Sequence, residues 1–178
     1  MWTNPQVKWD PDEHGRIRLY PAHSGGAEGA LVEVDVETGV VTVEKIWICH
    51  DVGKMINPAI VDAQIVGGTV QGLGGALFEQ LRYAEDGRML TTTFNDYQLP
   101  NALSAPPIEI LHRETPSPIT PLGTKGAGES GCIGTPTVLM AAVEDALRPF
   151  GVRVDMTPMD PQRVLAMVQA AGGKRAGA

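Results

Sequence analysis

The chain has 178 residues, of which 14 are lysine or arginine and 21 are aspartate or glutamate, giving a formal net charge of −7. This acidic balance argues against a nucleic-acid-binding role, which usually needs a basic face, and against binding to anionic membrane surfaces. The two cysteines, Cys49 and Cys132, lie far apart and form no CxxC pair, so a reducing compartment is the simpler expectation.

The N-terminal residues lack the basic and apolar regions of a secretory signal. The longest apolar run is interrupted by Asp62, Gln64 and Gln71, so we predict no membrane span. The length suits one domain with a sizeable core. We therefore expect a soluble, acidic protein of the cytoplasm.

Residues 1–24 have no clear periodicity, and we predict an irregular N-terminal arm with a short strand at Arg16–Tyr20. Apolar and polar residues then alternate over Ala30–Asp35, which is the pattern of a half-buried strand. The dipeptide Thr38-Gly39 is a hairpin signal, and Val40–Cys49 continues as a second strand rich in valine, threonine and isoleucine.

Asn57-Pro58 is typical of a helix start, because asparagine accepts hydrogen bonds from free amides and proline fits the first helical position. The helix would run from about Ala59 to Gln80. Each glycine inside a helix costs about 1 kcal/mol relative to alanine. Tight packing against a sheet, or a bound group close to the backbone, would each explain the five glycines that this helix contains: Gly67, Gly68, Gly72, Gly74 and Gly75.

The second half of the chain predicts further short elements. Asp86-Gly87 indicates a hairpin between Leu81–Tyr83 and Met89–Thr93, and Ile108–Arg113 has the composition of a strand. Strands followed irregularly by helices make the predicted fold class α+β, with a mixed sheet and packed helices.

A further helix should begin at Thr135-Pro136, after a glycine-rich loop. Val152–Met156 predicts a short strand, and Asp160-Pro161 should cap a last helix that ends at about Ala170. We expect the tail, residues 171–178, to be disordered.

The glycine-rich loop runs from Gly123 to Thr135 and surrounds one acidic residue, Glu129, with Lys125 four residues before it. Gly126–Gly131 matches GxGxxG, but no hydrophobic strand precedes it and no acidic residue follows at the offset that dinucleotide binding requires. Glu129 is the best candidate for an acid or base. The alternative is a surface carboxylate paired with Lys125, an interaction that contributes little to stability.

Five motifs occur in an order that resembles the C-terminal end of molybdenum hydroxylases, in the molybdopterin-binding large subunit of the xanthine dehydrogenase and aldehyde oxidoreductase family. The resemblance covers about Gly25 to Gln169. The motifs are the Val32–Asp35 strand, Thr38-Gly39, the segment from Asp51 to Asn57-Pro58, the helix from Gln64 to Gly74, and Gly123-x-Lys125-Gly-x-Gly-Glu129.

The resemblance implies a role for individual residues. Glu129 would be the general base beside molybdenum, removing a proton from the hydroxyl group that attacks the substrate carbon. Gln71, with Gly72 beside it, would touch the pyranopterin. The loop residues Lys125, Gly126, Ala127 and Gly128 would also bind the cofactor: the glycines through their backbone, and Lys125 by orienting the loop. No side chain of this chain is predicted to ligate the metal.

The resemblance also implies partners, because the large subunits of this family are several hundred residues long. The region 25–170 would be the C-terminal portion of the second molybdenum-binding domain, completed by the upstream half of the subunit, with [2Fe–2S] and FAD on partner subunits. The reaction would oxidise a small-molecule substrate at an aldehyde or N-heteroaromatic carbon, with water as the oxygen source. Two alternatives are reduction of an aromatic CoA thioester and a non-catalytic assembly subunit. The chain alone should bind cofactor weakly and be inactive.

Overall fold

The computed structural model describes residues 10–17 and 22–172. Strands β1 (Gly25–Val34) and β2 (Val41–Asp51) are followed by helix α1 (Pro58–Leu77) and strand β3 (Ile108–His112). Helix α2 (Ser130–Leu147) continues into a 3-10 turn, Arg148–Phe150, and helix α3 (Pro161–Ala170) comes last. The α+β class is therefore confirmed.

The three strands form one mixed sheet in the order β1-β2-β3. β1 and β2 are antiparallel, with an irregularity in register between Leu31 and Val32, whereas β2 and β3 are parallel. The β1–β2 turn is closed by a 2.9 Å hydrogen bond from the Asp35 amide to the Val40 carbonyl. The hairpin at Thr38-Gly39 thus forms as predicted.

The core lies between the sheet and the helices. Alternate residues of β2 (Ile46, Ile48 and His50) are buried, as expected for a strand with one covered face. α2 packs on both β1 and α1, so it joins the sheet layer to the helix layer. The cluster that fills this space takes residues from every layer, and its fully buried members include Ile46, Leu73, Leu139, Val143 and Leu147.

The caps of α1 and α3 agree with the sequence-based predictions. The Asn57 side chain accepts a hydrogen bond from the Ile60 amide at 3.3 Å, and the Asp160 side chain accepts one from the Arg163 amide at 3.1 Å. In both helices the next residue is a proline at the first helical position, where no amide hydrogen is needed.

The predicted start of α2 at Thr135-Pro136 is wrong, because the helix already begins at Ser130 and Pro136 lies inside it. A proline inside a helix loses one backbone hydrogen bond, at a cost of about 3 kcal/mol. The early turns are held against α1 by close backbone packing around Gly131, and this tertiary contact outweighs the local signal.

The predicted strand at Val152–Met156 is also wrong. Val152 and Val154 are buried and alternate with exposed neighbours, so the period is real. The segment does not join the sheet; instead, the Val154 amide donates to the Glu144 side chain of α2 at 2.9 Å. The Glu144 side chain thus accepts the hydrogen bond that the carbonyl group of a neighbouring strand would accept in a sheet.

Other predictions are met in part or lie outside the described residues. The hairpin around Gly87 has a single bridge between Tyr83 and Met89, and its φ of 82° at Gly87 makes the turn. Of the predicted Arg16–Tyr20 strand, residues 18–20 are outside the described part, as are residues 1–9 of the arm and 173–178 of the tail. In the described ranges no helix is long and apolar enough to cross a membrane.

Candidate active site

Glu129 lies at the N-terminal cap of α2, where its backbone leaves the loop and enters the helix. Its side chain is exposed, while its carbonyl oxygen accepts hydrogen bonds from the Cys132 amide and thiol at 3.1 and 3.2 Å. Within residues 10–17 and 22–172, the structure shows no hydrogen bond or ion pair to the Glu129 carboxylate. The carboxylate is therefore held by its backbone and left open to accept a proton.

Backbone hydrogen bonds hold the loop before Glu129 against residues 52–54, which follow β2. We call this contact between residues 52–54 and 123–125 the strap. The Lys54 amide donates to the Gly123 carbonyl at 3.0 Å, and the Lys125 amide donates to the Val52 carbonyl at 2.8 Å. Gly53, with φ of 67°, lies within this strap, and a Cβ there would sit 2.3 Å from the Gly123 carbonyl oxygen. Only glycine permits this approach, so the strap depends on it.

Asp51 anchors the strap through its side chain. One carboxylate oxygen accepts hydrogen bonds from the Gly53 amide at 2.9 Å, the Thr115 amide at 3.1 Å and the Lys125 ammonium group at 3.2 Å. Asp51 and Lys125 are only 16% and 13% exposed, respectively. The Thr115 side chain, the two backbone amides and Lys125 together hold the pKa of Asp51 far below its usual range, against the opposing effect of burial.

Lys125 therefore pairs with Asp51, so the alternative in which Lys125 neutralises Glu129 at the surface is wrong. Asp51 was not among the site residues predicted from sequence. Their pairing could have been predicted from their opposite charges, since Asp51 and Lys125 each lie within one of the five motifs.

Helices α1 and α2 cross at glycines, which brings the helix that follows Glu129 against the helix of Gln71. A Cβ on Gly131 would lie 2.3 Å from the Ile65 carbonyl oxygen, and one on Gly72 would lie 2.8 Å from Thr135 Cβ. Gly68 also faces the first turn of α2. Gly68 and Gly72 are thus explained by helix–helix packing, rather than by the helix–sheet packing considered from sequence, and a cofactor contact of Gly72 stays a prediction.

The other side of α1 is open. Gly67 and Gly75 have no atom within 4 Å of a virtual Cβ, and the exposed Gln71 lies between them at helical spacing. Gln64, two turns before Gln71, lies beside the loop, since a Cβ on Gly128 would be 4.0 Å from its Oε1 atom. We call the surface of α1 formed by Gly67, Gln71 and Gly75 the open stripe. Because the two glycines have no side chains, this surface leaves room for a flat group, and the residues present fit a cofactor.

The remaining loop residues flank this open space. Gly126 and Gly128 are exposed, Ala127 is half-buried, and no atom lies within 4 Å of a Cβ placed on Gly126. The Ser130 amide turns back to the Ala127 carbonyl at 3.3 Å. Contacts of Gln71, Lys125 and these three loop residues with a cofactor stay predictions, although the geometry accommodates them.

Comparison with known proteins gives the family. Residues 2–106 match the model of the molybdopterin cofactor-binding domain, a range that ends before Glu129. The chain is 49% identical, over 82% of its length, to the nicotine 6-hydroxylase large subunit of Paenarthrobacter nicotinovorans. It is 37% identical over 68% of its length to the carbon monoxide dehydrogenase large chain of Afipia carboxidovorans.

Solved structures agree with this relationship. The quinoline 2-oxidoreductase of Pseudomonas putida 86 superposes with a TM-score of 0.81 and 40% identity over 86% of this chain. The matched part is 19% of that protein, 18% of the nicotine 6-hydroxylase subunit and 15% of the carbon monoxide dehydrogenase chain. The chain belongs to the molybdenum hydroxylase family, and it corresponds to less than a fifth of the large, molybdopterin-binding subunit.

Proposed function

We propose that this chain is the base-bearing part of a molybdenum hydroxylase that oxidises an N-heteroaromatic or aldehyde carbon with water as the oxygen source. The observation that supports it is the Glu129 carboxylate, which has no hydrogen-bond or ion-pair partner within residues 10–17 and 22–172 and follows a loop held by the strap beside the open stripe of α1. A general base needs a free carboxylate within hydrogen-bond reach of the proton that it removes.

The residues of this chain would divide the work. The molybdenum cofactor would supply the redox centre that accepts two electrons from the substrate carbon. Gln71 and the loop backbone at Gly126–Gly128 would hold the pterin, while Lys125 and Asp51 keep the loop in place. Glu129 would take up the proton at its carboxylate, at a helix N-terminus that favours negative charge.

The relatives favour the heteroaromatic substrate class. Proteins named for nicotine 6-hydroxylation and quinoline 2-oxidation share 49% and 40% of the aligned residues, whereas the aldehyde oxidoreductase of Megalodesulfovibrio gigas shares 32%. We infer a substrate with an electron-poor ring carbon beside nitrogen. The partners would be the remainder of the molybdenum subunit, an iron–sulfur subunit and an FAD subunit, in the cytoplasm.

The test is Glu129→Gln in the assembled complex. Turnover should fall by about 10²–10⁴-fold, because the amide cannot accept the proton. The molybdenum content, measured by metal analysis, should match that of the wild type, since the side chain makes no structural bond within the described residues.

A matched control is Glu85→Gln, an exposed residue in the hairpin turn around Gly87. It should leave turnover within about twofold of wild type, as expected for a surface carboxylate. Should Glu129→Gln retain turnover within about threefold with full molybdenum content, Glu129 is not the base. A complex with no molybdenum at all would indicate the non-catalytic assembly subunit.

A further inference from the structure

A groove next to the candidate active site lies between the start of β1 and one face of α2, and Ser130, the residue after Glu129, forms part of its wall. Its volume is about 540 Å³, and its walls include Gly25, Gly26 and Glu28 from β1, His50 from β2, and Ile133 and Thr137 from α2. The proposed reaction uses none of these residues.

The buried side chain of His50 is the first observation that points to an occupant of the groove. Its side chain lines the cavity and is 5% exposed, yet neither ring nitrogen has a hydrogen-bond partner among the described residues. Buried polar side chains nearly always have a partner, because leaving one unpaired forfeits the hydrogen bonds that it made with water.

Glu28 supplies the second sign. Its carboxylate accepts a 2.9 Å hydrogen bond from the Thr135 hydroxyl, and burial raises its pKa despite that bond. A carboxylate can accept several hydrogen bonds, so Glu28 retains acceptor capacity on the groove side. The groove therefore presents an acceptor and a histidine, which suit a hydrogen-bond donor better than an anion.

The walls of the groove suit an extended polypeptide. β1 is one of the two edge strands of the described sheet, and within the described residues its outer edge pairs with no strand. Unpaired strand edges readily accept another strand. The small residues at its start, Gly25–Ala27, leave space, and above them Ile133 is 74% exposed on α2.

The length of the relatives identifies the missing neighbour. The chain matches 18% and 19% of the two proteins most fully described above, so about four-fifths of such a subunit lies outside it. We propose that an extended segment from that remainder lies in the groove along β1, covers Ile133, donates a hydrogen bond to Glu28, and both donates to and accepts from the two ring nitrogens of His50. This inference rests on the proposed function, because it assumes assembly into a molybdenum-binding subunit.

Two other occupants fit less well. A second copy of this chain would bring another acidic surface, from a chain of net charge −7, towards Glu28. A free anion would meet the Glu28 carboxylate directly. A segment of the same subunit that carries hydrogen-bond donors suits Glu28, which keeps acceptor capacity beside its bond to Thr135, and can also pair with the His50 ring, so we retain it alone.

The experiment uses the assembled complex, in which this chain is produced together with the polypeptide that supplies the remaining four-fifths of the subunit and with the iron–sulfur and FAD subunits. A photo-crosslinking amino acid replaces Thr137, which is exposed within the groove. The expected result is crosslinking to one segment of the remainder, mapped by mass spectrometry. The control probe replaces Ala146, which is exposed on the opposite side of α2 and should not label that segment.

A second measurement uses the unaltered subunit. Hydrogen exchange of peptides that cover Gly25–Val34 should show amides protected along the whole strand, as for a strand paired on both sides. If the outer edge is free, alternate amides exchange within minutes, and the proposed pairing fails.

A third measurement isolates the carboxylate. Glu28→Gln should weaken association of the chain with the remainder by about tenfold, because hydrogen bonds to a charged acceptor are stronger than those to a neutral one. Glu33→Gln, on the exposed side of the same strand, should leave association within about twofold.

The outcomes separate this inference from the proposed function. Crosslinks only to an iron–sulfur or flavin subunit, only to a second copy, or to no protein in a fully assembled subunit would each overturn it. These readouts need no turnover. A subunit that is inactive but crosslinked as expected contradicts the proposed function and supports the groove.

Discussion

Asp51 shows how one residue can determine the position of another far along the chain. Its carboxylate joins the exit of β2, the segment at Thr115 and the loop at Lys125, three parts of the molecule that are distant in sequence. Because the Glu129 side chain has no hydrogen bond or ion pair within the described residues, its position depends on the backbone that the Asp51 carboxylate holds.

Asp51→Asn should therefore lower turnover of the assembled complex without removing the base. We expect a decrease of about tenfold, mainly in kcat, because small displacements of a reacting group are costly even when binding is kept. Steady-state kinetics measure it, with Asp86→Asn in the exposed turn as the control. A change in KM alone would show that Asp51 acts on substrate binding instead.

The same residue predicts a pH dependence of stability. Its folded pKa lies below its unfolded value of about 3.9, so its stabilisation is present above that value and is lost as the pH falls towards the folded pKa. The difference in thermal unfolding midpoint between wild type and Asp51→Asn should be constant above about pH 5 and shrink below about pH 4. An unchanged difference at pH 3 would contradict this assignment.

The residue scale also shows what sequence alone could predict. Glu129, Gln71 and Lys125 were predicted as site residues because they lie in motifs whose order resembles that of a known family, and these roles stay predictions. The bond between Asp51 and Lys125 was not found, since its partners are 74 residues apart and only the folded chain brings them together. The same holds for His50 and Glu28, whose strand positions carry no local signal.

At the scale of elements, the helix caps were predictable and the start of α2 was not. Asn57-Pro58 and Asp160-Pro161 are local signals with local geometry, and the structure follows them. The first turns of α2 contain Gly131 and Gly134, which give no apolar stripe, so packing against α1 decides their conformation. Val152–Met156 has strand periodicity but does not join the sheet.

The crossing of α1 and α2 gives a matched pair of variants. Gly131→Ala should lower stability by about 2 kcal/mol or more, because its Cβ would lie 2.3 Å from a backbone oxygen that cannot move freely. Gly67→Ala faces open space and should raise stability by up to about 1 kcal/mol through helix propensity.

Thermal unfolding of the assembled subunit measures both variants. Equal effects of the two changes would show that the crossing is not close-packed. Gly67→Ala also reports on the open stripe of α1: lower molybdenum content at unchanged or increased stability would indicate that a cofactor approaches that face.

Several large apolar side chains of the described residues are exposed rather than packed in the core. Phe94 is 80% exposed and Leu103 is 98% exposed, both in the long connection between α1 and β3. Isolated apolar residues at a surface are ordinary, but they agree with our proposal that other parts of the subunit cover this chain, as does His50, whose ring nitrogens have no hydrogen-bond partner among the described residues.

The chain produced alone should accordingly show no turnover and retain little molybdenum. Binding of a hydrophobic fluorescent dye should decrease when the remainder of the subunit is added, because these side chains become buried. Dye fluorescence and metal analysis before and after mixing provide the measurement. Full turnover by the isolated chain would contradict the proposal that the remainder of the subunit supplies part of the active site.

The strap between the end of β2 and the glycine-rich loop also bears on how the molecule folds. The hairpin β1–β2 and the caps of α1 and α3 need only near neighbours in sequence, so they can form early. The bond from Asp51 to Lys125 must first close a loop that contains α1 and β3, and such distant contacts form slowly. We therefore predict that Glu129 reaches its final position late in folding, after Lys125 has paired with Asp51.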